Sequence, residues 1–156
     1  MSNSIIAIRI RGSASAPWNL EETLEMLRLK KQFNAMIYPD NDSIRGMLMK
    51  VQSYITWGKA NDKAIDLLLS RIHTINGDFV NENFVKEKLS MSLEDLKQGI
   101  LEGKVIVNKY DNLFKLPIRL HPPRGGFKGK VNKPYGTGGE FGYRGDKILE
   151  LIERMI

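Results

Sequence analysis

"AMIYPDNDSIRGMLMKVQSYITWG", residues 35–58, changes periodicity twice, and the order of those changes sets the fold. "AMIYP" (35–39) is a short apolar run stopped by Pro39, the pattern of a strand. In "SIRGMLMKVQSY" (43–54), Ile44, Met47, Leu48 and Val51 recur at i, i+3, i+4 and i+7. That spacing gives a helix one apolar stripe and leaves Arg45 and Lys50 off it. Ser43 or Asp42 stands where a cap belongs. "YITWG" (54–58) then reads as a second strand, closing at Gly58.

The same alternation appears upstream. "IIAIRI" (5–10) is β-branched, interrupted by Arg9 and ended by Gly12, which predicts a strand. After Pro17, Asn19 is placed to cap a helix with Glu22 three residues on, and Leu20, Leu24 and Leu27 follow at helical spacing, with an end expected near Lys31. The first 58 residues therefore spell β-α-β-α-β, an α+β chain. Strands joined by helices pair in parallel on general grounds.

Downstream, 61–72 reads as a helix opened by Asn or Asp, 81–89 as a shorter helix, and Ser92 with Asp95 opens a third that stops at Gly103. Residues 59–103 are thus a helical insert between the core (1–58) and the last third (104–156). "KVIVN" (104–108) predicts a strand. In "FKLPIRLH" (114–121), apolar and other residues alternate, which predicts a half-buried strand with Lys115, Arg119 and His121 on one solvent-facing side, confined to an edge or bulge by Pro117. Asp146 is placed to cap "DKILELIERMI", a final amphipathic helix. There is no internal repeat and no linker dividing two independent domains.

Charge is unevenly spread. The chain has 156 residues and a net charge of +6, yet residues 1–103 hold 13 basic against 13 acidic side chains. Residues 104–147 hold 10 basic against 3 acidic, so the whole excess lies there. A concentrated basic stripe points to an acidic polymer, most often nucleic acid. Eight of the 14 glycines fall in 121–147, which predicts a long basic loop without a core of its own, tethered between a strand and a helix.

Other chemistry finds little support. There are no cysteines and only His73 and His121, so disulfides and a structural zinc site are excluded and no cofactor is implied. No run of about 18 apolar residues appears and the start lacks the pattern of a signal peptide, so the expectation is a soluble, cytosolic protein without a membrane partner. Glu21, Glu22 and Glu25 suit a helix start, and Asp40 and Asp42 a turn before a helix. "GTGGEFG" (136–142) lacks the spacing of a phosphate loop. His73 reads as structural, whereas His121, beside the basic loop, reads equally as a phosphate or base contact and as a solvated strand end.

Nucleic-acid binding needs cations, close backbone approach and flat groups for stacking. The segment 118–145 has Arg119, Arg124, Lys128, Lys130, Lys133 and Arg144, with glycines, Phe127, Tyr135, Phe141 and Tyr143 among them. With no recognition helix evident, RNA is favoured over DNA. The candidate RNA-binding residues are these six cations, His121, and Arg45 and Lys50 on the second helix; no catalytic residue is proposed.

"RIRG" (9–12), "ETLEMLRL" (22–29), "RGMLMKV" (45–51), "YITWG" (54–58), "LHPPRGGFKG" (120–129) and "GGEFGYRGDKILELIERM" (138–155) together resemble the ribosomal protein L-thirty family of the large subunit, in its longer archaeal form, akin to eukaryotic L-seven. The resemblance covers nearly the whole chain, least distinctively over 59–103. It implies a ferredoxin-like-related β-α-β-α-β core with two helices on one face of a three-stranded antiparallel sheet. It also implies a non-catalytic, cytoplasmic component of the large subunit that binds the large rRNA, in its second domain and near 5S rRNA, beside neighbouring ribosomal proteins. The rival readings are a small phosphate-ester or acyl-phosphate hydrolase on a ferredoxin-like scaffold, for which "RGSASAPWN" (11–19) offers only Arg11, and a basic adaptor for acidic proteins.

Overall fold

The computed structural model describes residues 3–13, 16–75, 77, 81–110 and 112–156. Three strands, β1 (Ser4–Arg9), β2 (Asn34–Pro39) and β3 (Ile55–Lys59), alternate with two helices, α1 (Trp18–Met26) and α2 (Asp42–Lys50). β1 lies between the other two and is antiparallel to both, with Ala7 opposite Met36 on one side and Trp57 on the other. The general preference for parallel pairing is overturned, and the antiparallel arrangement implied by the family resemblance holds.

The sheet does not stop at three strands. β6 (Ile118–Arg119) adds to β2, and β8 (Gly139–Tyr143) and β7 (Lys130–Pro134) add beyond β3, giving the order β6-β2-β1-β3-β8-β7. Periodicity could not disclose this, because β7 and β8 come from the glycine-rich segment, and β6 and β8 join the sheet through β2 and β3, which are far away in sequence. The basic excursion is largely laid onto the sheet: β8 runs parallel to β3, with Thr56 opposite Gly142 and Trp57 opposite Tyr143.

Every residue of β1 is buried, because helices cover both faces. Alternate residues Ile5 and Ala7 join Met36, Tyr38 and Trp57 beneath Leu24, Leu48 and Val51 of the α1–α2 side. The other set, Ile6, Ile8, Ala35 and Ile37, faces α3 (Asp62–Leu69), α4 (Glu82–Leu89), α5 (Leu93–Leu101) and α6 (Ile148–Met155). Segments 59–103 and 104–156 thus share one core with the strands of the first 58 residues. Each fully buried aliphatic side chain there contributes about 1.5–3 kcal/mol.

Several local expectations shift. α2 is capped by Asn41, whose side chain accepts from the Ile44 amide at 2.9 Å, and not by Ser43 or Asp42. Asn19 lies inside α1, which starts after Pro17 without a side-chain cap. α1 ends at Met26, not near Lys31, because Arg28 takes a left-handed φ of 62° and the Leu29 amide turns back to Leu24 O at 2.8 Å. No glycine marks that stop. α6 has no side-chain cap, and Asp146 instead sits in the 3-10 turn Gly145–Lys147 before it. Asn61, Asn81 and Ser92 do cap α3, α4 and α5.

"KVIVN" forms no strand. After Gly103, with φ of 80°, the Lys104 and Val105 amides both bond back to Gly99 O, Val107 plugs the core, and a 3-10 turn spans Val107–Tyr110. The alternating run 114–121 breaks into β5 (Phe114–Lys115) and β6, separated by a cis Leu116–Pro117 bond. β5 pairs with β4 (His73–Thr74) in a separate two-stranded sheet, while β6 becomes the edge strand that Pro117 allows.

Candidate nucleic-acid interface

The basic segment is held on the body at three places. First, residues 121–126 clasp the C-terminal end of α6, whose last carbonyls have no helical partner. The His121 and Arg124 amides donate to Met155 O and Arg154 O, each at 2.9 Å, and the Arg124 guanidinium donates to Glu153 O at 2.7 Å. Arg154 returns the contact by donating to Arg124 O at 3.0 Å and to Gly126 O. Second, the Phe127 ring stacks on Phe33, at the start of β2, with centroids 6.3 Å apart. Third, Arg144 locks β8 to β3.

That third contact gives Arg144 a structural role that the sequence does not disclose. Arg144, taken as an RNA-contacting cation, is buried. Its guanidinium donates to the Glu140 carboxylate at 2.7 Å, to Glu140 O at 2.7 Å and to Thr56 Oγ1 at 2.7 Å, and lies 4.6 Å over the Tyr135 ring. Thr56 in turn donates to Gly142 O, and the other Glu140 oxygen accepts from the Gly129 amide. A cation so committed inside the fold is not available to neutralise a phosphate.

With the segment pinned, its remaining cations point outward. Lys128, Lys130 and Lys133 are exposed along the β7 edge, and none has an ion-pair partner among the described residues. Arg119 is exposed at the opposite edge, on β6, where it shares a cavity of about 310 Å³ with Arg71, His73 and Lys115. Five strand intervals of about 4.8 Å put the two basic edges on the order of 20 Å apart. His121 and Arg124 are exposed near the end of α6.

Arg45 and Lys50 lie on α2, away from both edges, and both are exposed. Arg45 holds Asp40 with two hydrogen bonds, at 2.6 and 2.9 Å. That hydrogen bonding, together with the attraction of the carboxylate, makes the guanidinium still more basic than usual. Of the four aromatics in the segment, Phe127 and Phe141 are half-buried and Tyr135 lies beneath Arg144, whereas Tyr143 is 52% exposed. Two cations lining cavities beside these surfaces, Lys59 and Arg71, are not singled out by the sequence. Lys59 was legible as the alternate position after Trp57, but Arg71, just past α3, carries no periodic signal.

The rival hydrolase needs a phosphate loop after β1. Arg11, its one cation, lies 4.8 Å over the Tyr54 ring and donates to Ser53 O; residues 14 and 15 of that segment lie outside the described residues. No group of three or more potential metal-ligating side chains occurs among the described residues, and no helix there is long and apolar enough to cross a membrane.

Comparison with known proteins bears directly on this surface. The family described as "Ribosomal protein L30p/L7e" matches residues 5–55, which run from β1 to the start of β3. The protein named "Large ribosomal subunit protein uL30" from Sulfolobus acidocaldarius is 56% identical over 156 residues, covering all of both chains. The chain belongs to the L30p/L7e family of ribosomal proteins. The proteins of the same name from Saccharolobus solfataricus and Metallosphaera sedula are 54% and 52% identical, covering 96% and 99% of each chain. The family is the one implied by the six sequence motifs. The match to the Sulfolobus acidocaldarius protein runs past residue 55 over the whole chain and so spans the clasp, the β7 edge and α6.

Proposed function

We propose that this chain is a structural component of the large ribosomal subunit that binds the large rRNA and stabilises its fold, with no catalytic step of its own. Membership of the L30p/L7e family supports the ribosomal assignment. The observation that carries the RNA-binding part is the row of Lys128, Lys130 and Lys133, exposed and without ion-pair partners among the described residues, on an edge that the Arg144 network and the α6 clasp hold in place. Cations on a pre-formed edge neutralise phosphates of adjacent RNA helices without the entropy loss of ordering a free loop. Arg119, His121 and Arg124 extend the charged surface around the end of α6, and Arg45 and Lys50 offer a second contact on α2. Arg144 acts from within, by keeping the edge in position.

The neighbours in this reading are large-subunit rRNA, near 5S rRNA, and adjoining ribosomal proteins, in the cytoplasm. Sedimentation of a native extract through sucrose, with and without ribonuclease, tests it. Co-migration with large subunits that disappears as the RNA is digested is the expected result. Recovery only at the top of the gradient, or in complexes that survive digestion, overturns it and favours an adaptor for acidic proteins.

A further inference from the structure

Widening the sheet leaves part of one face uncovered. α1 and α2 pack over β1, β2 and β3, but β8 extends the sheet past β3 with Tyr143 in register with Trp57. Ile5 pairs with Lys59, and Ala7 with Trp57, so Ile5, Trp57, Lys59 and Tyr143 all stand on this face. The flank of α2, through Arg45 and Met49 one turn apart, forms the facing wall. Between them lies a cavity of about 360 Å³.

Its chemistry is unlike that of the basic edges. Buried Trp57 and Ile5 form its apolar interior, Tyr143 is 52% exposed and Met49 54% exposed, and the Trp57 and Tyr143 rings lie 6.2 Å apart. Lys59 and Arg45 stand at the same opening. Asp40, the acid in this lining, is neutralised by its two bonds from Arg45, and Lys59 has no ion-pair partner among the described residues. An apolar cavity lined by aromatic rings with an unpaired cation beside it matches a nucleotide, which has a π-face and an adjoining phosphate.

We propose that this cavity takes one unstacked base of the bound RNA, stacked against Tyr143 and Met49, with a flanking phosphate on Lys59. The proposal rests on the RNA-binding reading above and adds a site and a kind of nucleotide to it. A base within a duplex is excluded, since its faces are covered by its neighbours and A-form grooves deny access to them. Stacking is tolerant of base identity, so no particular base is specified. An apolar side chain from another protein would fill the cavity without needing Lys59.

The test uses the full chain carrying Trp18→Phe, which leaves Trp57 as the single tryptophan. Trp57 fluorescence is followed during titration with a single-stranded uridine oligomer, an RNA duplex of equal length, and large-subunit rRNA, with rRNA affinity measured separately by filter binding. The expected result is a response to the single strand and to rRNA but not to the duplex. Tyr143→Ala weakens single-strand binding about fivefold to a hundredfold, whereas Tyr143→Phe binds like the parent. Lys59→Gln reduces the slope of log affinity against log salt by about 0.7. Should Tyr143→Ala fail to fold, Met49→Glu, on the exposed wall, abolishes the response in its place. Binding of rRNA with Trp57 silent, or with folded variants unimpaired, overturns the cavity assignment and leaves the RNA-binding reading intact. Failure of the parent chain to bind rRNA at all overturns both.

Discussion

Arg144 and Glu140, four residues apart on and just beyond β8, form an ion pair at 2.7 Å in which both side chains are less than a tenth exposed. The pair acts as a rivet. It joins the entry of the basic edge, through the Gly129 amide, to the central strand β3, through Thr56. Truncating one partner of a buried pair leaves the other charge without compensation and costs about 3–5 kcal/mol. Arg144→Ala is therefore expected to lower stability by that amount in denaturant unfolding, while the salt slope of RNA binding by the remaining folded protein stays that of the parent. A lowered slope with unchanged stability would show that Arg144 contacts phosphate after all.

The three edge lysines predict the opposite pattern. Lys128, Lys130 and Lys133 make no ion pair with the described residues, so replacing all three by Ala should leave the thermal midpoint nearly unchanged. Every phosphate that is no longer neutralised flattens the dependence of log affinity on log salt by about 0.7–0.9, so the slope of the triple variant should be shallower by about 2 to 3. Adding Arg124→Ala is expected to lower stability as well, by about 0.5–1.5 kcal/mol, because that guanidinium also satisfies the end of α6. Calorimetry and binding across a salt series check both parts.

Arg9 carries a structural charge where a strand would be expected to be apolar. Its side chain is fully buried, bonded to Glu21 at 2.7 Å and to the carbonyls of Arg11, Leu29 and Lys30 at 2.7–3.0 Å. It thereby ties β1 to α1 and to the turn that follows. Arg9→Met fills much of the same space but strands those acceptors, and is expected to cost about 3–5 kcal/mol in chemical denaturation. A decrease below about 1 kcal/mol would show that water replaces the guanidinium.

Two glycines should respond to alanine with opposite signs. At Gly58 a Cβ would clash with Gly145 O and meet Ile148 Cβ at 2.9 Å, where the turn before α6 crosses β3. Gly58→Ala is expected to destabilise by at least the 1–3 kcal/mol or so of overpacking. At Gly46, inside α2, a Cβ meets nothing within 4 Å. There, Gly46→Ala should stabilise by about 0.4–1 kcal/mol, through helix propensity and a less flexible unfolded chain. Paired thermal melts distinguish the two sites.

Tyr38 sets an alkaline limit. Burial pushes its phenol well above the ordinary value of 10.0, against a smaller lowering by Arg28, and its hydroxyl donates to Leu27 O. Because the folded state holds this proton more tightly than the unfolded chain, stability is unaffected by the group below about pH 10 and falls as pH rises beyond it. Ultraviolet titration should show Tyr38 ionising only as the chain unfolds. Tyr38→Phe should remove that part of the alkaline destabilisation.

Where structure depends on near neighbours, the sequence alone was decisive. Apolar spacing over a few residues set the β-α-β-α-β order, and Ser92 announced the start of α5, as the Asn or Asp at 61–62 did that of α3. The concentration of positive charge after residue 103 and the six motifs were sufficient to indicate RNA and the family. Short-range reading failed where two compatible cues competed, as at α2, where Asn41 wins over Asp42 and Ser43 because its side chain reaches the Ile44 amide.

Only the tertiary structure decided which cations are committed inside the fold and which lie on its surface. Arg144 and Lys130 look alike in a row of letters, yet one meets Glu140 and Thr56 in the interior and the other lies on an open edge. The same holds for the cavity by Tyr143, which exists because β8 pairs with β3 across 86 residues of chain. Periodicity encodes which face of an element is apolar, but not which distant element covers it. That is settled by burial and by the need of each buried polar group for a partner, both of which arise only when the whole chain closes on itself.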